Sequence, residues 1–251
     1  GVDNVGAFPM KAITVCVEYD DLLAITLPRM LAVFDDVLVV TDSHDKATQE
    51  IANRLGVYCL QTNAFYAQGA SFNKGNALNA AVLHQAQPAS WLAVIDADIV
   101  LPERADLTGL QPGTLYGATR RIVNPIWLPH DWSKFPTYPD RYPWNGAEVT
   151  LGGHFLVFHT GDPVIETWPW FPDDWKHAGG YDSDFIAQWP PEKQVRLPFE
   201  VLHLGPLAMN WHGRITPRLD GKPIPEQEAR EALRAAMWRE RRRSGYTKER
   251  L

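Results

Sequence analysis

Between residues 11 and 96, short apolar runs alternate with stretches of helical spacing, and few folds accommodate that order. KAITVCV (11–17), DVLVVTD (36–42), VYCLQT (57–62) and WLAVID (91–96) read as strands. DLLAITLPRMLAVF (21–34), SHDKATQEIANRLG (43–56) and NKGNALNAAVLHQA (73–86) read as helices. Pro28 is able to kink the first helix; Ser43 suits an N-cap and Gly56 a C-terminal stop. Strands that are apolar along their whole length are buried on both faces, and their alternation with helices makes them parallel. The expectation is an α/β fold with a mostly parallel, Rossmann-like sheet flanked by helices.

The second half changes character. TLYGATRRI (114–122) and HFLVFH (154–159) read as strands, but NPIWLPHDWSKFPTYPDRYPW and ETWPWFPDDW are too rich in Pro and Trp for regular helices. A short helix near DSDFIAQW, a strand around VRLPFEVLHL and a final helix from Pro225 to Arg243 complete the reading. Residues 1–10 then form a disordered lead or an expression remnant. Residues 11–122 form one subdomain, 123–220 an aromatic and Pro-rich second one, and 221–251 a C-terminal helix with a basic tail.

With 45% hydrophobic and 22% charged residues the composition is that of an ordinary globular chain. No apolar run reaches the roughly 18 residues that span a bilayer, and no signal peptide is visible, so a soluble cytoplasmic protein is expected. Cys16 and Cys59 lie in apolar runs and read as reduced, buried thiols. A net charge of -6 does not advertise a nucleic-acid surface, although residues 226–251 carry 8 Lys/Arg against 5 Glu.

WLAVIDADIVLP (91–102) ends a buried strand in two carboxylates, Asp96 and Asp98. Buried carboxylates are expensive unless something pairs with them. In open parallel sheets, ligands bind at the carboxyl ends of strands, and Asp42, closing VVTD, sits at that edge too. Hard oxygen ligands suit Mg²⁺ or Mn²⁺, which bridge to a substrate diphosphate. In an extended segment Asp96 and Asp98 point the same way, with Ala97 opposite. SFNKGNALNAAV adds a lysine, Lys74, at a helix start, which favours phosphate, and places Asn79 on the same side.

In order and spacing, VVTD, FNKGNALN, VIDADIVLP and GGYDSDF resemble nucleotide-sugar glycosyltransferases of the GT-A fold, of the family 2 type. GGYDSDF is also similar to the galactosyltransferase group. The resemblance covers residues 11–205. It implies that Asp42 contacts the nucleotide base, that Lys74 lies near base, ribose or phosphate, and that Asp96 contacts ribose or diphosphate. It implies further that Asp98 ligates the metal, with a later histidine, His203 in preference to His212, completing the shell. Glu18 and Tyr19 fall at the base contact, where CVEYDD departs from the family's polar turn. Asp182 takes the place of the catalytic base, with Asp184 as the competing candidate.

Sugar transfer needs the leaving diphosphate neutralised and the acceptor hydroxyl deprotonated. One base opposite the leaving group gives single displacement and inversion. The alternative for Asp182 and Asp184 is that they cap the helix that follows. Trp168, Trp170, Trp175 and Trp189 cluster in the second half. Trp170 and Trp175 are the candidate acceptor contacts, against an aromatic core under long loops. Gly152 and Gly153 leave room for the donor sugar or form a bulge.

The expected activity is a metal-dependent inverting glycosyltransferase using a nucleotide sugar, a UDP-sugar by preference. Its acceptor is a saccharide or a hydroxylated DNA base, with no membrane partner. The alternatives are a nucleotidyltransferase, which would carry a glycine-rich loop that ITVCVEYDD lacks, and a non-catalytic nucleotide-sugar-binding protein.

Overall fold

The computed structural model describes residues 10–85, 89–123, 131–138 and 140–243. Residues 1–9 of the expected lead, the NPIWLPH stretch (124–130) and the basic tail (244–251) lie outside the described residues, while Met10, the last residue of that lead, opens the first strand.

The alternation is borne out element by element. β1 (Met10–Val15), α1 (Asp20–Leu31), β2 (Asp36–Thr41), α2 (Lys46–Arg54), β3 (Cys59–Gln61), α3 (Lys74–Gln85) and β4 (Trp91–Ile95) follow in that order. β5 (Ile99–Val100) and β6 (Leu115–Val123) come next. They are followed by β7 (Thr137–Tyr138), β8 (Tyr142–Trp144), β9 (Ala147–Val149) and β10 (Phe155–His159). α4 (Tyr181–Ile186), β11 (Gln194–Leu204) and α5 (Gln227–Arg243) close the chain.

One sheet runs in the order β3-β2-β1-β4-β10-β6-β11-β5, with β7 added beside β6. β3, β2, β1 and β4 are mutually parallel. β10 enters antiparallel between β4 and β6, and β11 is parallel to β6. The sheet thus continues across residue 122: strands from the second half extend the sheet begun by the first.

Period-two alternation divides the buried residues between the two faces. Ile13, Val15, Leu92 and Val94 pack on one face against Leu78 and Val82 of α3 and Phe185 of α4. Ala12, Ala93 and Ile95 pack on the other against Leu23, Leu27 and Met30 of α1. Both faces are covered, which is why the strands carry no polar face.

Three local expectations are corrected. α2 does not start at Ser43. Asp42 Oδ1 accepts the N–H groups of His44 and Asp45 at 2.7 and 2.8 Å, and this turn delays the helix until Asp45, whose Oδ1 accepts Thr48 N–H at 3.1 Å as the cap. Asp96–Ile99 is not extended: Ile99 N–H donates to Asp96 C=O at 3.1 Å, closing a turn. Asp182 and Asp184 do not cap α4. Its N-cap is Gly180, which makes no side-chain cap bond, and both aspartates lie within the first turn. Two readings hold: α1 carries on through Pro28 to Leu31, and Gly56 takes φ 71° just past the end of α2.

Candidate active site

A cleft of about 230 Å³ opens at the carboxyl ends of β1 and β4. Its floor is the Asp96–Ile99 turn. Asp96 N–H donates to His154 C=O at 2.9 Å, and Thr26 Oγ1 donates to Ala97 C=O at 2.8 Å. The turn is therefore pinned from both sides, and Asp96 and Asp98 both line the cleft.

Lys74, the first residue of α3, is buried and forms an ion pair and hydrogen bond with Asp96 Oδ1. Burial works against its charge, but Asp96, joined by Tyr181 and Asp98, outweighs this and pushes the ammonium pKa up. Tyr181 lies 6.0 Å from the ammonium, which faces its ring. Gly75 permits this approach of α3, because a Cβ there would lie 2.1 Å from Pro172 C=O.

Asp98 meets β11 across β5. Leu204 N–H donates to Asp98 C=O at 2.9 Å, and His203 is in register with Ile99. His203 Nε2 lies 3.9 Å from Asp98 Oδ2. His203 Nδ1 donates to Gly205 C=O at 3.0 Å, which in the neutral ring fixes the tautomer and leaves Nε2 an open lone pair. Asp98 Oδ1 is buried without a hydrogen-bond partner among the described residues, and burial raises the Asp98 pKa. An orphaned carboxylate oxygen beside a bare imidazole nitrogen fits a divalent cation. Among the described residues no three His, Cys, Asp or Glu side chains converge, so the protein side of such a site is this pair.

Asp182 lies on the cleft wall and Asp184 does not. Asp182 packs on Gly153, where a Cβ would lie 2.3 Å from its own. Burial first, then Asp96, raises its pKa. Asp184 accepts the indole N–H groups of Trp144 at 2.5 Å and Trp175 at 2.9 Å.

The remaining candidates divide between this cleft, a second cavity and the core. Tyr19 lines the cleft, where its hydroxyl accepts Asn210 Nδ2 at 2.5 Å. Asp42 and Glu18 line a second cavity with Tyr66, His212 and Arg230. Asp42 Oδ2 accepts the Tyr66 hydroxyl at 2.6 Å, and Glu18 is paired with Arg230 of α5 at 2.5 Å. Asn210 and Trp211 face the first cavity while His212 and Arg214 face the second, so one segment partitions the two. Trp170 packs beside Phe158 and Trp168, Trp175 beside Trp144 and His177, and neither lines the cleft. Asn79 is structural: it is bonded to both Phe171 N–H and Phe171 C=O.

Sequence reasoning missed Arg120, Asp140, Tyr142, Trp144, His154 and Trp211, all on the cleft wall. Only Trp144 had a local signal. Asn145–Gly146 after it, with φ 47° and 85°, is a two-residue hairpin turn joining β8 to β9.

No family model matches the sequence, and no curated protein matches it. Solved structures do. The inositol-1-phosphate CTP transferase from T. maritima is 9% identical, with a TM-score of 0.50, over 81% of this chain and 91% of that one. At such identity the likeness shows the fold alone. The fold is of the GT-A type. Glucosyl-3-phosphoglycerate synthase from Mycobacterium tuberculosis, in complex with Mn²⁺, UDP-glucose and phosphoglyceric acid, is 14% identical over 94% of this chain and 80% of that one, with a TM-score of 0.47. In its complex with phosphoglyceric acid the same synthase is 16% identical with a TM-score of 0.34, over 46% of this chain and 45% of that one, so this match spans under half of the synthase. No helix among the described residues is long and apolar enough to cross a membrane.

Proposed function

We propose that the protein is a metal-dependent, inverting glycosyltransferase that moves a sugar from a nucleotide sugar, preferably a UDP-sugar, to the hydroxyl of a saccharide or a hydroxylated DNA base. The observation that carries this reading is the convergence of Asp98, His203, the Lys74–Asp96 pair and Asp182 on one cleft at the sheet's carboxyl edge. Residues 11–122 serve the donor and 123–220 mainly the acceptor, with His203 crossing over to the donor side.

Asp98 and His203 would hold Mn²⁺ or Mg²⁺, which when bound neutralises the leaving diphosphate. Lys74 adds a fixed positive charge to the same wall and holds Asp96 towards the ribose. Asp182 accepts the proton of the attacking hydroxyl on a carboxylate oxygen, and its raised pKa makes it a stronger base than an exposed aspartate. Asp184 holds Trp144 and Trp175, and Trp144 forms the adjoining apolar wall. Asp42, Glu18 and Tyr19 are assigned to the nucleoside end, with Tyr66 and His212 as neighbours of Asp42 in its cavity.

The deciding experiment incubates the protein with a panel of nucleotide sugars and Mn²⁺, without acceptor, and measures released nucleotide, with Asp98→Ala as control. Metal-dependent release that Asp98→Ala abolishes is expected. Neither release nor calorimetric binding of any donor would overturn the reading. Binding without release under any acceptor would point to a non-catalytic binding protein. Diphosphate release from a nucleoside triphosphate and a sugar phosphate would point to a nucleotidyltransferase, although residues 16–19 after β1 contain no glycine to cradle a triphosphate.

A further inference from the structure

On the wall between His203 and Asp182 lies a group of buried polar side chains with no role so far. Arg120 (β6) hydrogen-bonds Asp140 Oδ1 through Nη2. Asp140 Oδ2 lies 3.9 Å from His154 Nδ1. Asp140 is 3% exposed and His154 2% exposed. His154 Nε2 is 3.0 Å from Ala118 C=O; a carbonyl only accepts, so Nε2 carries the proton and Nδ1 is a bare acceptor.

Three atoms of this group make no hydrogen bond among the described residues: Asp140 Oδ2, His154 Nδ1 and Arg120 Nε. Two face each other, His154 Nδ1 as an acceptor and Asp140 Oδ2 as the second acceptor of the carboxylate that Arg120 pairs, and the third is a donor. Burying such atoms unpaired is costly, and each asks for a partner. The complement of two acceptors and a donor is a pair of hydroxyls, which donate and accept at once. The cluster also sits where a sugar would lie. A Cβ on Gly152 would come within 2.7 Å of Asp140 and of His154, and one on Gly153 within 2.3 Å of Asp182, so consecutive glycines seat the cluster beside the candidate base.

We propose that Asp140 and His154, with Arg120, receive adjacent hydroxyls of the sugar being transferred and so select which sugar the cleft accepts. This rests on the nucleotide-sugar reading above. The cluster specifies a neutral polyol ring whose hydroxyls reach the wall between diphosphate and base. Removing or inverting the hydroxyl it receives strands the same buried atoms again.

The test measures nucleotide release from the best donor and from analogues that each lack one ring hydroxyl, for wild type, Asp140→Asn and His154→Gln. Wild type is expected to disfavour one deoxy analogue by at least about 10²-fold in kcat/KM, as sites built around a hydroxyl do. That ratio should shrink at least about tenfold in either variant, while ratios for the other analogues stay put. Thermal melts identify any variant that fails to fold, and the other then carries the comparison. Wild-type turnover with ratios unchanged in the folded variant would overturn the subsite and leave the transferase reading standing. Failure of the wild type to bind any nucleotide sugar would overturn both.

Discussion

Asp182 and Asp184 stand two residues apart on the first turn of α4, yet they face different surroundings. Asp182 turns into the cleft against Gly153. Asp184 turns away and holds two indole N–H groups, those of Trp144 and Trp175. Asp182→Asn is expected to lower transfer by about 10²–10⁴-fold, the usual contribution of a general base, without loss of donor binding. Asp184→Asn leaves one indole unpaired. It should cost about 1–3 kcal/mol in urea unfolding and spare metal-dependent donor hydrolysis. The reverse pattern would exchange the two roles.

Gly153→Ala tests position without touching a functional group. The new Cβ would fall 2.3 Å from that of Asp182 and must displace it. A shift of about 1 Å lowers kcat on the order of 10²-fold. Donor affinity, measured by calorimetry, should stay close to that of wild type, because the displaced carboxylate acts on the acceptor hydroxyl. A variant with wild-type kcat would show that Asp182 does not act at that position.

Asp98→Ala and His203→Ala should each abolish Mn²⁺ binding by calorimetry in the presence of nucleoside diphosphate. Each should reduce donor release on the order of 10²–10³-fold, and EDTA should do the same to wild type. His212→Ala is the control, since His212 lies in the second cavity and hydrogen-bonds Ser71 at 2.7 Å. Loss of metal binding in His212→Ala with retention in His203→Ala would reverse the assignment.

Burial raises the Asp182 pKa above the usual carboxylate value of 3.8. A base works only when ionised, so the acid limb of kcat/KM should lie above pH 3.8 and vanish in Asp182→Asn. The stability sign is the opposite of an ion-paired aspartate. Below the unfolded pKa the group is protonated in both states and contributes nothing. As pH rises through the folded pKa, the unfolded chain has already released its proton, so the native state loses relative stability. Asp182→Asn should therefore melt progressively higher than wild type as pH rises through that window. A pH-independent difference in melting temperature would refute this.

Arg214 is fully buried and makes a bidentate pair with Asp21, while its guanidinium also donates to Glu18 C=O and Pro217 C=O. Burial works to raise the Asp21 pKa, but the hydrogen bonds from Arg214 and Leu219 outweigh it and lower it, so Arg214→Ala would strip a buried carboxylate of its bidentate partner and leave it only Leu219 N–H and the nearby Arg218 charge. Removing one partner of a buried pair destabilises by about 3–5 kcal/mol, readable in guanidinium unfolding. A loss below about 1 kcal/mol would mean that water reaches the pair.

The sheet was legible because its signal is local. Strands buried on both faces must be apolar throughout, and helices that cover them must repeat every 3.6 residues, so order and type follow from windows of about ten residues. The sheet's carboxyl edge was legible for the same reason: Lys74, Asp96 and Asp98 are fixed by their places at a helix start and a strand end. Ser43 misled because the Asp42 side chain competes for the same backbone N–H groups and delays the cap by two residues, to Asp45.

What tertiary structure alone decided is which distant residues meet. Asp98 finds His203, 105 positions on, through the β5–β11 pairing. Arg120 and His154 join because β6 and β10 lie side by side, and Asp140 reaches them two residues after Tyr138, which the β6–β7 pairing sets opposite Arg120. α5 brings Arg230 back to Glu18, a contact 212 positions apart. Local sequence carries periodicity and chain direction; it carries no record of register between strands far apart. That register turns scattered His, Asp and Arg residues into a wall with unpaired acceptors, and the packing energy of the whole sheet, not the preference of any segment, sets it.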